Sequence, residues 1–219
     1  MKIVVAKDIL RANDQLARSN REHFDRAGVT AFNLLGSPGC GKTSLIEALF
    51  RLWPEDLPFG VIEGDLATSR DAERIERLGV ATVQINTGGG CHLDAGMVGQ
   101  ALKQLDLNDL SAVFIENVGN LVCPAAYQLG ERFRVAVLSL PEGDDKVAKY
   151  PSMFSRVDLI LLNKIDLAPY LEFDFSRVGD DLARLVPEAE LLSVSARSGE
   201  GIEPLVERLI GVVKRLKEE

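Results

Sequence analysis

Gly36-Ser37-Pro38-Gly39-Cys40-Gly41-Lys42-Thr43 is a glycine, four residues, then Gly-Lys-Thr. Between a strand and a helix, this spacing makes a phosphate-binding loop. The glycines let successive backbone N–H groups curl round a β-phosphate, and the helix N-terminus adds partial positive charge. Lys42 is expected to reach the β/γ-phosphates, and the Thr43 hydroxyl to ligate Mg²⁺. The context is right: apolar Ala31-Phe32-Asn33-Leu34-Leu35 precedes the loop, and helix-compatible Ser44-Leu45-Ile46-Glu47-Ala48-Leu49 follows. Ser44 is grouped with the loop as a nucleotide-binding residue. Cys40 stands at a free position of the pattern and reads as a small filler.

Asn163-Lys164-Ile165-Asp166 follows the apolar run Leu159-Ile160-Leu161-Leu162. The carboxyl end of such a strand is where a base would lie. A carboxylate accepts two hydrogen bonds, and guanine offers two adjacent donors, N1–H and the 2-amino group. Asp166 is therefore expected to hold guanine, with the Lys164 stem over the base plane and Asn163 steadying the loop. Adenine has an acceptor at N1, and sites built on such pairing discriminate by about 10⁴. Downstream, Ser195-Ala196-Arg197 is expected to offer a backbone N–H to guanine O6. The three motifs in this order favour GTP.

The middle of the chain carries other chemistry. Where a Ras-like GTPase has Asp-x-x-Gly, this sequence reads Glu116-Asn117-Val118-Gly119, and no glutamine follows to orient water. Glu63-Gly64-Asp65 ends an apolar run, and Ser69-Arg70-Asp71-Ala72-Glu73 opens a helix. Lys42, Asp65, Asp71 and Glu116 are the candidates for the hydrolytic chemistry, the three carboxylates also for Mg²⁺. Which carboxylate positions the water stays open. Cys91-His92 and Cys123-Pro124 each follow an apolar run, so both should emerge on the nucleotide edge. Two thiols and an imidazole suit Ni²⁺ or Zn²⁺ and not Mg²⁺. A closed tetrahedral site would need a fourth ligand from water or another subunit. The bland alternative is two part-buried cysteines and a solvated histidine. His23, on a polar stretch, reads as solvated.

Seven short apolar runs alternate with helix-like stretches from Val29 onward, and several are apolar on both faces. That pattern predicts a doubly wound α/β fold, a mostly parallel sheet of about seven strands with helices on both faces, of the P-loop NTPase kind. Helices are expected near 42–52, 69–78, 93–105, 144–155, 176–186 and 201–217. Residues 1–28 read as an N-terminal arm and helix, with a thin stripe of Ile9, Leu10, Leu16, Ala17 and Phe24 ending at Gly28; residues 29–219 read as the GTPase domain. Lys+Arg 25 against Asp+Glu 33 gives a net charge of −8 in 219 residues, which disfavours nucleic acid and anionic membrane as partners. No apolar run approaches the ~20 residues of a membrane span. The three cysteines make no disulfide framework, so a reducing cytoplasm is expected.

Three stretches carry a resemblance: Asn86-Thr87-Gly88-Gly89-Gly90-Cys91-His92-Leu93-Asp94-Ala95, Glu116-Asn117-Val118-Gly119-Asn120-Leu121-Val122-Cys123-Pro124-Ala125 and Pro141-Glu142-Gly143-Asp144-Asp145. They resemble the hydrogenase nickel-incorporation GTPases of the HypB type, in the nucleotide-dimerising P-loop class. The resemblance implies a homodimer joined when GTP binds, with an interface metal site built from Cys91, His92 and Cys123. It implies nickel as cargo, the large subunit of a nickel–iron hydrogenase as destination and the nickel chaperone HypA as partner. Ile3-Val4-Val5 and the helix after it are the expected docking segment for that chaperone. Some relatives carry an N-terminal cysteine motif or histidine-rich tract; here no cysteine precedes Cys40, so transfer is expected to rest on the interface site.

Three rival readings stand beside this one. The urease accessory GTPase is a sister that uses a Cys-Pro-His run, whereas here Cys123-Pro124 is followed by alanine. A P-loop kinase of a small metabolite has no use for Asn-Lys-x-Asp. A metal buffer that merely keeps the fold would not turn over GTP.

Overall fold

The computed structural model describes residues 6–65 and 69–218. Its centre is built by runs that are mostly apolar and buried at every position. Strand β1 (Thr30–Gly36), β4 (Ala112–Glu116), β5 (Phe133–Ser139) and β6 (Leu159–Asn163) are buried throughout. Strands apolar on both faces need a layer of helices on each side. With β2 (Phe59–Asp65), β3 (Ala81–Asn86) and β7 (Glu190–Ser193) they form one sheet, ordered β3-β2-β4-β1-β5-β6-β7. Every pairing in it is parallel. This is the doubly wound P-loop architecture expected from the sequence.

Alternate residues of each strand feed opposite layers. Phe32, Leu34, Val61, Phe114 and Val137 pack with Leu45 and Ile46 of α2 (Lys42–Phe50), Ile75 of α3 (Arg70–Glu76) and Leu205 and Leu209 of α8 (Ile202–Glu218). On the other face, Ala31, Ile62, Val113 and Ile115 meet Phe24 of α1 (Ala6–Ala27) and Val98 of α4 (Ala95–Ala101). Leu138, Ile160 and Leu162 meet Val147 of α5 (Lys146–Lys149), Phe154 of α6 (Pro151–Phe154) and Val178 of α7 (Phe175–Leu185). The helix expected over 144–155 is two short helices broken at Tyr150, because Pro151 disfavours helical backbone in the residue before it.

The N-terminal helix departs from its apolar stripe. Leu16 is 50% exposed, and the buried face is Asn13, Ala17, Asn20 and Phe24. Both asparagines bond to main chain. Asn20 Nδ2 donates to the carbonyls of Ala95 and Leu129 at 2.8 and 2.9 Å. Asn13 Nδ2 donates to Gln128 O at 2.8 Å, while its Oδ1 accepts from Ala95 N–H at 2.9 Å. A stripe too thin to hold the helix by apolar burial is thus supplemented by directional bonds. Ile3-Val4-Val5 lies outside the described residues. His23 is exposed.

Candidate functional site

All strands point the same way, so every motif emerges at one edge. Gly36, Asp65, Asn86, Glu116, Ser139 and Asn163 are the last residues of β1 to β6. That carboxyl edge is where open α/β sheets bind ligands.

Gly41 precedes α2 with φ 101°, and a Cβ there would lie 2.5 Å from Asn163 Nδ2, so only glycine fits. The Lys42 ammonium donates to Ser37 O at 3.4 Å, curled back over its own loop. Cys40 is fully buried, and burial pushes its thiol up to about 11, which leaves it neutral and inert. The Ser37 hydroxyl lies 2.5 and 2.7 Å from the two Glu142 carboxylate oxygens, a partner with no role assigned from sequence.

Asn163 knits together the loops expected to hold the base. Its Nδ2 donates to Cys40 O at 2.8 Å, and its Oδ1 accepts from Lys164 N–H at 2.8 Å and Ala196 N–H at 3.2 Å. Lys164 is the one non-glycine with positive φ, 64°, among the described residues. Such a conformation costs about 1–2 kcal/mol and marks functional loops. It carries the lysine across the phosphate loop, where Nζ donates to Gly39 O at 2.6 Å. The Ser195 hydroxyl donates to Asp166 Oδ1 at 2.6 Å. Gly41, Ser44, Asn163, Lys164, Asp166 and Arg197 line a cavity of about 480 Å³. Within the Ser195-Ala196-Arg197 stretch expected to offer an N–H to guanine O6, the Ala196 N–H is directed at Asn163 Oδ1.

A second cavity of about 360 Å³ adjoins it and brings Lys42, Thr43, Asp65, Asp71 and Glu116 together. Thr43 Oγ1 donates to Glu116 Oε1 at 2.8 Å, while Glu116 Oε2 is buried without a hydrogen-bond partner among the described residues. Burial pushes the Glu116 carboxyl up to about 7. Cross-strand from it stands Glu63, also buried with its Oε2 unpartnered, and pushed up to about 8 by burial and then by Glu116. Buried carboxylate oxygens without donors suit a hard divalent cation, so this set fits Mg²⁺. Asp71 is paired with Arg74 at 2.9 Å, and Arg74 also reaches Glu47 and the Ser44 hydroxyl. Glu63 and Arg74 had no signal in the sequence beyond lying near Asp65 and Asp71.

Cys91, His92 and Cys123 meet although the cysteines are 32 positions apart in the chain. Their ligating atoms all lie within 4.8 Å of one another. Cys91 Sγ is 3.6 Å from His92 Nδ1, and the His92 ring stacks on Tyr127 with centroids 4.0 Å apart. Burial lowers the His92 pKa, favouring the neutral, ligating imidazole. A hydrogen bond with the Cys91 thiol, then burial, raises the Cys123 pKa. The donors are borderline-soft, and three leave a position open, so the set fits Ni²⁺ or Zn²⁺.

No helix of the described residues is long and apolar enough to cross a membrane. The CobW/HypB/UreG nucleotide-binding domain matches residues 30–193. The hydrogenase maturation factor HypB of Rhizobium leguminosarum bv. viciae is 53% identical over 92% of this chain, which spans 67% of that relative. The probable HypB of Methanocaldococcus jannaschii is 43% identical, over 97% of this chain and 96% of its own. The crystal structure of HypB from Helicobacter pylori in complex with nickel superposes with a TM-score of 0.90 at 39% identity, covering 93% of this chain and 96% of that one.

Proposed function

Since the chain belongs to the CobW/HypB/UreG family, with HypB among its relatives, we propose that it is a metal-handling GTPase serving nickel–iron hydrogenase maturation. Nickel is its cargo, held by Cys91, His92 and Cys123. The observation that carries this reading is the clustering of those three ligands beside a phosphate loop.

Gly36, Ser37, Pro38, Gly39, Cys40, Gly41, Lys42, Thr43 and Ser44 cradle the phosphates. Asn163, Lys164, Asp166, Ser195, Ala196 and Arg197 form the guanine side. Thr43, Asp65, Asp71 and Glu116 would hold Mg²⁺, which supplies charge neutralisation at the β/γ-phosphates. Lys42 leaves Ser37 O to meet the phosphates. The carboxylates beside it orient water for in-line attack. The γ-phosphate holds Asp65, Asp71 and the loop after Glu116, and hydrolysis to GDP releases them. Two copies that meet at Cys91 and Cys123 when GTP is bound complete the metal's coordination. HypA supplies the metal and the hydrogenase large subunit receives it, in the cytoplasm.

The test is a titration of the full chain with Ni²⁺ and with Zn²⁺, in GDP and in a non-hydrolysable GTP analogue, with mass followed in solution. A dimer and an altered metal affinity are expected with the analogue. Metal affinity and mass that ignore the nucleotide would sink the reading.

A further inference from the structure

Four side chains unused above form a buried polar chain behind the metal cluster. Asn117 Oδ1 accepts from the N–H of Leu93, next to His92, at 3.2 Å, and from Val118 N–H at 3.0 Å. Asn117 Nδ2 donates to Asn33 Oδ1 at 3.3 Å, and Asn33 Nδ2 donates to Glu131 Oε1 at 3.1 Å. Arg134 closes the chain: Nε donates to the same Glu131 oxygen at 2.5 Å, Nη2 to Tyr127 O at 2.6 Å and Nη1 to Ala125 O at 3.4 Å. Tyr127 carries the ring stacked on His92, and Ala125 shares a 3₁₀ turn with Cys123.

None of the four is more than 6% exposed. Asn33 interrupts an otherwise apolar central strand, and Glu131–Arg134 is an ion pair with side chains 1% and 8% exposed. Such groups are poor stabilisers: well-packed apolar residues often do as well as a buried ion pair, or better. A fully bonded polar network does supply one defined geometry. A metal site needs that, because its ligands must be held within about 0.5 Å. Here the two ligand arms leave from different strands, and each is bonded to the chain beside its ligand.

We propose that Asn117, Asn33, Glu131 and Arg134 are positioning residues. They lock the Cys91-His92 arm and the Cys123 arm in one mutual geometry and tie it to the end of β4, where Glu116 meets Thr43. The inference rests on the metal reading of the cluster. It adds that metal affinity is set partly by side chains that never touch the ion, as outer partners do at other metal sites.

The decisive variant is Arg134→Lys in the full chain. Lysine keeps the charge beside Glu131, but one ammonium lacks the planar fork that spans a carboxylate and two carbonyls. Zn²⁺ affinity is measured against a chromophoric chelator, Co²⁺ spectra report thiolate-to-metal bands, and GDP affinity and melting are followed in parallel. Arg134→Lys should weaken Zn²⁺ binding about tenfold or more and shift the Co²⁺ bands, with GDP affinity within about twofold of wild type. A merely structural role would lower the melting temperature and leave the bands and Zn²⁺ affinity of the folded protein unchanged, which overturns the proposal.

Should Arg134→Lys fail to fold, Asn117→Asp decides. It keeps the acceptor for Leu93 N–H and removes the donor to Asn33, and wild-type Zn²⁺ affinity in it would overturn the proposal equally. A wild-type chain that binds neither Zn²⁺ nor Ni²⁺ tightly defeats the metal reading, and this inference with it. Tight wild-type binding with unaltered variants defeats the inference alone.

Discussion

The backbone N–H of Asn120 donates to the carbonyl of Gly36 at 2.9 Å, joining the loop that leads to Cys123 to the first glycine of the phosphate loop. The same asparagine reaches both arms of the candidate metal cluster. Its Nδ2 donates to Cys91 O at 3.3 Å, and its Oδ1 accepts from Val122 N–H at 2.8 Å. The phosphate loop and the candidate metal cluster therefore share one short bonded path, which gives the proposed switch a physical carrier.

Cys123→Ser should separate the two functions. A serine hydroxyl stays protonated at neutral pH and ligates poorly, whereas the thiolate is the strongest soft donor in the cluster. High-affinity Ni²⁺ or Zn²⁺ binding should be lost, with GDP affinity nearly intact, since other residues build the phosphate loop. Linkage requires that whatever factor GTP imposes on metal affinity, metal imposes on GTP affinity. Isothermal titration in both directions checks both statements, and retained tight metal binding in Cys123→Ser would remove it from the site.

Gly119→Ala probes the same contact sterically. A Cβ on Gly119 would lie 2.7 Å from Pro38 Cα, a backbone atom that gives way only if the phosphate loop shifts. Overpacking of this kind costs about 1–3 kcal/mol. Weaker GDP binding and a lower melting temperature are expected, and unchanged values in both would mean that the two loops are not in contact in solution.

Asp166→Asn should change the base. The amide cannot accept from both guanine donors, but its NH₂ can meet the 2-oxo group of xanthine. GTP affinity should fall and xanthosine triphosphate affinity rise, read by competition against a fluorescent nucleotide. Equal GTP binding by mutant and wild type would take Asp166 out of the base site.

The paired carboxyls predict a pH dependence for the protein free of nucleotide and Mg²⁺. Glu63 titrates at about 8 when folded, against an ordinary 4.5. Between those values the folded state holds a proton that the unfolded chain has released, so stability falls as pH rises. The melting temperature should therefore decline between about pH 5 and pH 8 more steeply in wild type than in Glu63→Gln, whose amide does not titrate. Parallel curves would place Glu63 outside that titration.

What could be read from the order of residues was local. The phosphate loop spans eight consecutive residues, the base motif four, and the strands announced themselves because parallel strands buried on both faces read as near-continuous apolar runs. The shared edge followed, since parallel strands all end on one side. Tertiary structure decided what depends on contacts between distant residues. It brought Cys91 and Cys123 within reach, set Glu63 beside Glu116 by strand register, and bonded Asn120 to Gly36. Apolar periodicity records water exclusion, so it pointed to Leu16 on the first helix and passed over Asn13 and Asn20, which are buried through hydrogen bonds. The Asn33–Glu131–Arg134 chain was hidden for the same reason: a polar side chain looks solvent-bound in a sequence until the partners that satisfy it are brought in from elsewhere in the fold.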